Sequence, residues 1–544
     1  MTPLSERLGN WFPVVVALAL PLVFIPTFVD AFILPRTSIV VAGAFLGAGL
    51  ALLIQRRTSL GELRWPLAAA AAAAVIAFAF STSWPLSLVG SYTRYESLPV
   101  RLSYLGLLAV PVWLLRSELA RSLAVAAVVL GATVTSAEAI AQWLLAAPFR
   151  PDGNLGNANL LGALVAMALP IALSNMFRPG WVAGGWWAAA GLMAGGLLAS
   201  TSRGGMVGAL AGCLALGVFA LRGRKALAAG VVTALVSVAA VLAVLLSPLR
   251  ELNGDPGPTR VHLYLDSVGM ILARPLTGWG EDATGLVFGR FLTGDWSPGI
   301  TFDRVHSGVL DLAATQGLLG LVALGSVVAV LFAGFWRRRF APPAAVPRVA
   351  GAVSVGSIAA ACFGYTVWVL FNFDWAPATG VFWLLAGIGW SAVQARRVDV
   401  RGLPAAVEAA PISTRTVPRV AGALALVAVA VVFAALPIVA EGWYANGRPE
   451  LSTRADPLQA EYHRALGEAL ISQGKADEGR GELRLAANLG STDPALYVEL
   501  GDADLRAGDV ALARADYRMA LTIDPFWAPA RQRLAGGSGG LGAA

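Results

Sequence analysis

Runs of apolar residues long enough to cross a bilayer recur along the chain, separated by short polar breaks. A helix spanning the hydrocarbon core needs about 20 such residues. The runs do not alternate residue by residue, as barrel strands would. The pattern predicts about thirteen helical spans, near 11–29, 37–54, 66–81, 98–115, 122–145, 159–176, 183–200, 204–221, 226–247, 308–335, 350–371, 377–395 and 418–440. The interval 248–305 breaks the pattern and predicts a large loop. Within it Thr259 to Leu272 has amphipathic helical periodicity, with Leu263, Val268 and Ile271 facing lipid or protein and Arg260 and Asp266 elsewhere. Pro275 ends that helix, and Gly278-Trp279-Gly280 makes a turn.

Past residue 440 the texture changes. Residues 441–454 read as a linker, and 455–534 are charged, Ala-rich and repetitive. Leu466-Gly467 recurs as Leu500-Gly501, Gly474 as Gly508 and Ala486 as Ala520, a step of 34 residues that is the tetratricopeptide period. Asp456-Pro457, Asp493-Pro494 and Asp524-Pro525 mark where units begin. Two units and one further helix fall short of the usual three or more, so the module is expected to lean on the membrane domain or on a partner protein. The Gly-rich tail 535–544 is predicted to be disordered. The expected architecture is therefore all-α: a polytopic membrane bundle over 1–440 with a large extracytoplasmic loop at 248–305, followed by a C-terminal tetratricopeptide helical module.

Composition agrees. Of 544 residues 57% are apolar and only 13% charged, with a mean hydropathy of +0.68. The net charge of +7 does not point to nucleic acid, because the arginines are dispersed through alternate short loops. One set holds Arg56, Arg57, Arg116, Arg121, Arg222, Arg337 and Arg338; the other short loops hold few. This asymmetry predicts a cytoplasmic amino terminus and, with an odd number of spans, an extracytoplasmic carboxyl-terminal module. The preference for Arg, Ala and Gly suggests a bacterial source, hence the cytoplasmic (inner) membrane. Two isolated cysteines make no disulfide framework or metal site. No phosphate-cradling nucleotide loop occurs, and no external Asp-x-Asp pair of the kind that grips a metal diphosphate.

The candidate chemistry gathers near His306, one of three histidines, where the large loop meets the span at 308–335. An imidazole there can accept a proton near neutral pH; the plainer alternative is a residue capping the helix that begins near Ser307. External turns add guanidinium and hydroxyl groups: Tyr92 to Glu96, Gly153 to Asn159 and Ser200 to Gly205. Such loops suit a pocket for a phosphate-bearing, hydroxyl-rich ligand. His262 and His463 are expected to be structural.

His306-Ser307, nine residues, then Gly317-Leu318-Leu319-Gly320 resembles the signature of the O-antigen ligase superfamily. Leu34-Pro35-Arg36, Gly90 to Glu96, Leu155 to Asn159, Ser202-Arg203-Gly204 and Arg274 to Gly280 resemble the same family in the same order. The resemblance implies a metal-independent, cofactor-free glycosyltransferase. It would move a glycan from an undecaprenyl diphosphate donor to a lipid, glycan or protein acceptor hydroxyl, with inversion. It implies His306 as base and Arg203 and Arg260 as diphosphate clamps, with Arg94 and Arg304 as weaker candidates. A polysaccharide polymerase or a protein oligosaccharyltransferase would share these motifs. A lipid-glycan flippase is the rival of another class, and the scarcity of ionisable residues at mid-span speaks against it.

Overall fold

A computed structural model describes residues 4–54, 59–176, 182–221, 257–339, 354–400 and 416–536, with scattered positions between 223 and 235. Among the described residues every regular element is a helix. The membrane part comprises α1 (Leu4–Leu22), α2 (Ile33–Leu53), α3 (Arg64–Ala79), the short α4 (Trp84–Val89), α5 (Leu98–Leu114), α6 (Glu118–Leu144), α7 (Ala158–Asn175), α8 (Val182–Ser200), α9 (Arg203–Ala220), α10 (Gly257–Ala273), α11 (Gly308–Arg338), α12 (Val355–Trp368) and α13 (Ala376–Val400). The last of them, α14, runs from Thr416–Ala430 through a π-turn at Val431–Ala435 into Leu436–Ala445. Nine of the described helices are long and apolar enough to cross a membrane. The chain is a polytopic helical membrane bundle. Apart from those scattered positions, the expected span at 226–247 and the start of the large loop lie outside the described residues.

The span of α13 is buried along its whole membrane-length window, whereas α14 leaves most of its own exposed. A helix apolar all round sits at the centre of a bundle, and one exposed on an apolar face meets lipid. Short polar joints close one end of the bundle. There Asn10 Oδ1 accepts from Arg116 N at 2.8 Å, and Leu60 O accepts from Trp390 Nε1 at 2.9 Å. The opposite end carries the α1–α2 and α3–α5 connections, residues 145–157, the Thr201-Ser202 turn, the large loop, residues 369–375 and everything after Ala445.

Two expectations change in detail. In α10 Asp266 joins Leu263, Ser267 and Met270 on the buried face instead of standing apart from it, while Val268 lies on the exposed apolar face. Asp266 turns inward because it accepts from Thr293 N, Thr293 Oγ1 and Trp296 Nε1. Val261, Leu265, Val268 and Leu272 form an exposed apolar stripe at helical spacing, suited to lying along a bilayer surface, and Leu276 in the following turn is exposed beside it. The expected linker is also mostly helix: α14 continues to Ala445, and α15 (Pro449–Ala455) follows after one turn. Glu441 is fully buried there, since Asp30 N, Tyr92 Oη and Tyr462 Oη all donate to it.

Beyond α15 stand two helix pairs, α16 (Ala460–Ser472) with α17 (Ala476–Asn488) and α18 (Pro494–Arg506) with α19 (Val510–Ile523), and then α20 (Ala528–Gly536). They share one apolar core with α4 and the large loop: Leu86 of α4 and Trp279, Phe288 and Phe302 of the loop pack with Leu483, Leu496, Tyr517 and Ile523. Thr301 Oγ1 donates to Asp524 Oδ2 at 3.2 Å and Gln459 Nε2 to Gly90 O at 3.3 Å. The short array leans on the membrane domain, as its length requires.

Helix α11 is broken at Gly317, whose φ of +65° and ψ of −163° are not helical. A Cβ there would stand 2.4 Å from Leu276 C and O, and one on Gly278 would stand 2.4 Å from Thr315 C and O. Two backbones meet at this point. Leu318 N donates to Pro275 O at 2.7 Å, and Trp279 N and Gly280 N donate to Ala314 O and Thr315 O at 2.9 Å. The break aims the first turns of α11, and the residue preceding them, at the loops.

Candidate functional site

His306 precedes α11 with a φ of +58°, a conformation that costs an L-residue roughly 1–2 kcal/mol. Its neighbours hold it there. Gly308 N donates to Val369 O at 2.8 Å and to Asn372 O at 2.7 Å, and Tyr264 Oη donates to His306 O at 3.1 Å. Ser307, not His306, occupies the N-cap position. The imidazole packs edge-on against Phe373 at 5.2 Å. Backbone strain of this kind persists where surrounding structure over-determines it, and it clusters at functional sites.

Burial first, and then the guanidinium of Arg260, push the imidazole down to about 4, so it is neutral at physiological pH. Asp303 opposes them and Arg94 acts with them. Arg94 Nε donates to Asp303 Oδ2 at 2.7 Å and Nη2 to Oδ1 at 3.3 Å, a forked pair. Burial would raise the Asp303 carboxyl, but Arg94 outweighs it and holds it below the usual carboxylate range. Phe373 and Trp375 each stand 4.8 Å from the Arg94 guanidinium.

Arg304 has a different setting. Its side chain is 1% exposed and is ion-paired to Asp282 and Asp311. A guanidinium spent on two buried carboxylates is a poor phosphate ligand, which corrects the expectation for Arg304. Its pair with Asp311 ties the chain before His306 to the chain after it, and its pair with Asp282 joins both to the 91–96 turn, since Asp282 also accepts from Ser91 N and Glu96 N. Beside it Arg101 joins Glu281 at 2.9 Å and Asp374 at 2.7 Å, and Gln316 Nε2 donates to Glu281 at 2.6 Å. Burial pushes the nearby Glu96 carboxyl up to about 7.

The segment 369–375 gathers the remaining groups. Phe371 O accepts from Arg260 Nη1 at 2.9 Å. The Asn372 amide lies against Gly204, at the start of α9, where Arg203 is the first helical residue. Ser202 caps that helix, accepting from Gly205 N at 3.2 Å and donating to Asn159 Oδ1 at 2.9 Å. Arg203 Nη2 and Trp368 Nε1 are both buried donors with no acceptor among the described residues, and the indole borders Gly204. Two orphan donors at a helix N-terminus suit an anion.

Of the residues expected at the site, the 303–308 segment and residues 369–375 link His306, Arg94, Arg260 and the Arg203 turn. Most of the Gly153–Asn159 loop serves the fold, where Arg36, fully buried, donates to Asn154 O at 2.8 Å and Gln142 Nε2 donates to Gly153 O at 2.7 Å, and Asn159 alone reaches the Arg203 turn, through Ser202. His262 stacks on Trp296 at 3.7 Å. His463 bonds Glu482 at 2.7 Å and Pro457 O at 3.0 Å inside the helix pairs. Sequence reading overlooked Trp368, Asn372 and Phe373. The polar break Asn372-Phe373-Asp374 between two apolar runs was the available signal.

Residues 188–325 match the family model described as O-antigen ligase, a segment that holds Arg203, Arg260, Arg304, His306 and the Gly317 break. No curated protein matches the chain. The chain is thus a multi-pass helical membrane protein in which residues 188–325 match an O-antigen ligase family domain.

Proposed function

We propose that the protein transfers a glycan from undecaprenyl diphosphate to an acceptor hydroxyl at the outer face of a bacterial cytoplasmic membrane, with inversion. An imidazole nitrogen of His306 takes the proton of the acceptor hydroxyl. The acceptor oxygen forms its bond to the anomeric carbon as the bond to the diphosphate oxygen breaks. Arg203 and Arg260 receive the developing negative charge, with Trp368 Nε1 as a further donor. Arg94, through Asp303, positions the segment that carries His306.

The observation that carries this reading is the pairing of a neutral imidazole with unsatisfied donors. Arg203 Nη2 and Trp368 Nε1 are buried without acceptors among the described residues, and Arg260 depresses the imidazole. A diphosphate against Arg260 offsets that charge, so donor binding raises the basicity of His306 when the base is needed. The helix pairs 460–523 fit a tetratricopeptide-type scaffold that holds acceptor or partner beside this site.

The test uses purified protein, a polyprenyl-diphosphate glycan and candidate acceptors. Release of undecaprenyl diphosphate with an inverted linkage supports transfer; its absence with every acceptor sinks it. Trp368→Phe keeps an aromatic ring but removes the Nε1 donor along with some buried volume; it should lower kcat by roughly 10²-fold, while the cavity lowers the thermal midpoint without unfolding the protein. An unchanged kcat removes Trp368 from the site.

A further inference from the structure

Between the membrane domain and the helix pairs lies a cavity of about 170 Å³. Ser91, Thr93 and Asp303 line it on the membrane side, and Gln459, Ser491 and Thr492 on the other. Among the described residues, none in its lining is Arg, Lys or His. It holds three carboxylates instead. Asp303 is engaged by Arg94, Asp493 by Arg464 Nη1, and Glu461 accepts from Tyr444 Oη at 3.0 Å. Burial raises the Glu461 carboxyl. Hydroxyls, amides and carboxylates recognise sugar hydroxyls, and the lack of a lining cation disfavours an anionic chain. Asp303 belongs both to this cavity and to the surroundings of His306, three residues along. None of the residues that gather about Asn372 lines the cavity.

We propose that this cleft is an acceptor subsite that takes an uncharged, hydroxyl-rich glycan chain between the Ser91–Thr93 turn and the Ser491-Thr492 turn, with Asp303 at its inner edge. The inference rests on the transfer reading above and extends it. The donor diphosphate is held by Arg203 and Arg260, and the acceptor arrives along the helix pairs. The repeat region is then part of the substrate site, because half the cleft is built from it.

The test is calorimetric binding to the full-length protein in detergent micelles. The probes are maltohexaose, cellohexaose, an oligogalacturonate and an oligolysine peptide. A neutral hexaose is expected to bind, with the oligogalacturonate weaker. Thr492→Trp fills the cleft and should weaken the neutral chain about tenfold or more, with its thermal unfolding compared against native protein. Glu461→Lys places a cation in the lining and should admit the oligogalacturonate, a gain that misfolding does not produce. Tighter binding of oligolysine, no binding of either neutral chain, or native affinity in both variants overturns the proposal. His306→Ala should bind the neutral chain normally while losing transfer. If the cleft is wrong and the chemistry right, Thr492→Trp binds and transfers normally while His306→Ala is inactive. If the chemistry is wrong and the cleft right, Thr492→Trp loses binding although no undecaprenyl diphosphate is released by any form.

Discussion

His306 is held in a left-handed backbone conformation, in a partly buried position, with an arginine pressing its imidazole towards neutrality. Each property has a measurable consequence. Asn tolerates a positive φ better than most residues, so His306→Asn should fold like native protein yet lower transfer by roughly 10²–10⁴-fold. A variant that keeps the native rate disproves the base assignment. The pH dependence has a definite sign. A depressed imidazole loses its base function only when protonated, and protonation requires acid near its lowered value of about 4. The acid limb of kcat/KM should therefore fall near pH 4, well below the 6.5 of an ordinary histidine. A limb at the ordinary histidine value would show that burial and Arg260 do not act on it.

At the scale of the helix, the break in α11 decides where His306 points. Gly317→Ala places a methyl 2.4 Å from the Leu276 carbonyl and forces Ala into φ +65°. The conformation alone costs about 1–2 kcal/mol, and the overlap adds to it, so the thermal midpoint should drop and transfer with it. Gly325 lies in the same helix, and a methyl added there would meet no described atom within 4 Å. Gly325→Ala should leave stability equal or raise it by about 0.5–1 kcal/mol. Equal effects at the two positions would mean that the backbone contact between 275–280 and 314–319 is not what sets the break.

For the whole molecule, Glu441 is the knot. It takes Asp30 N from the first connection, Tyr92 Oη from the loop that carries Arg94, and Tyr462 Oη from α16. Tyr92, Tyr444 and Tyr462 pack around it with ring centres 5.2–6.1 Å apart. Glu441→Ala leaves these donors without an acceptor, at about 1–3 kcal/mol for each that stays buried. Hydrogen exchange should rise across α15 to α18 and in residues 88–97 together. Exchange that rises in only one of the two regions would show that Glu441 does not couple them.

Apolar run length and repeat spacing alone determined the bundle, the approximate bounds of its described spans, the helix pairs and the need of a short array for support. These are properties of consecutive residues: lipid demands about 20 apolar positions per helix, and a helix pair repeats at its own period. The His306 to Gly320 signature was legible as a pattern, but its reason was not. Gly317 answers to Leu276, a residue far earlier in the chain, whose carbonyl it must approach. Likewise Arg94 and Arg304 look alike in the sequence. Only tertiary contact separates a guanidinium beside Phe373 and Trp375 from one locked between Asp282 and Asp311. The polar break at 369–375 gathers the site because Val369, Phe371 and Asn372 lend backbone carbonyls, and a carbonyl carries no trace of its partner in the side chain above it.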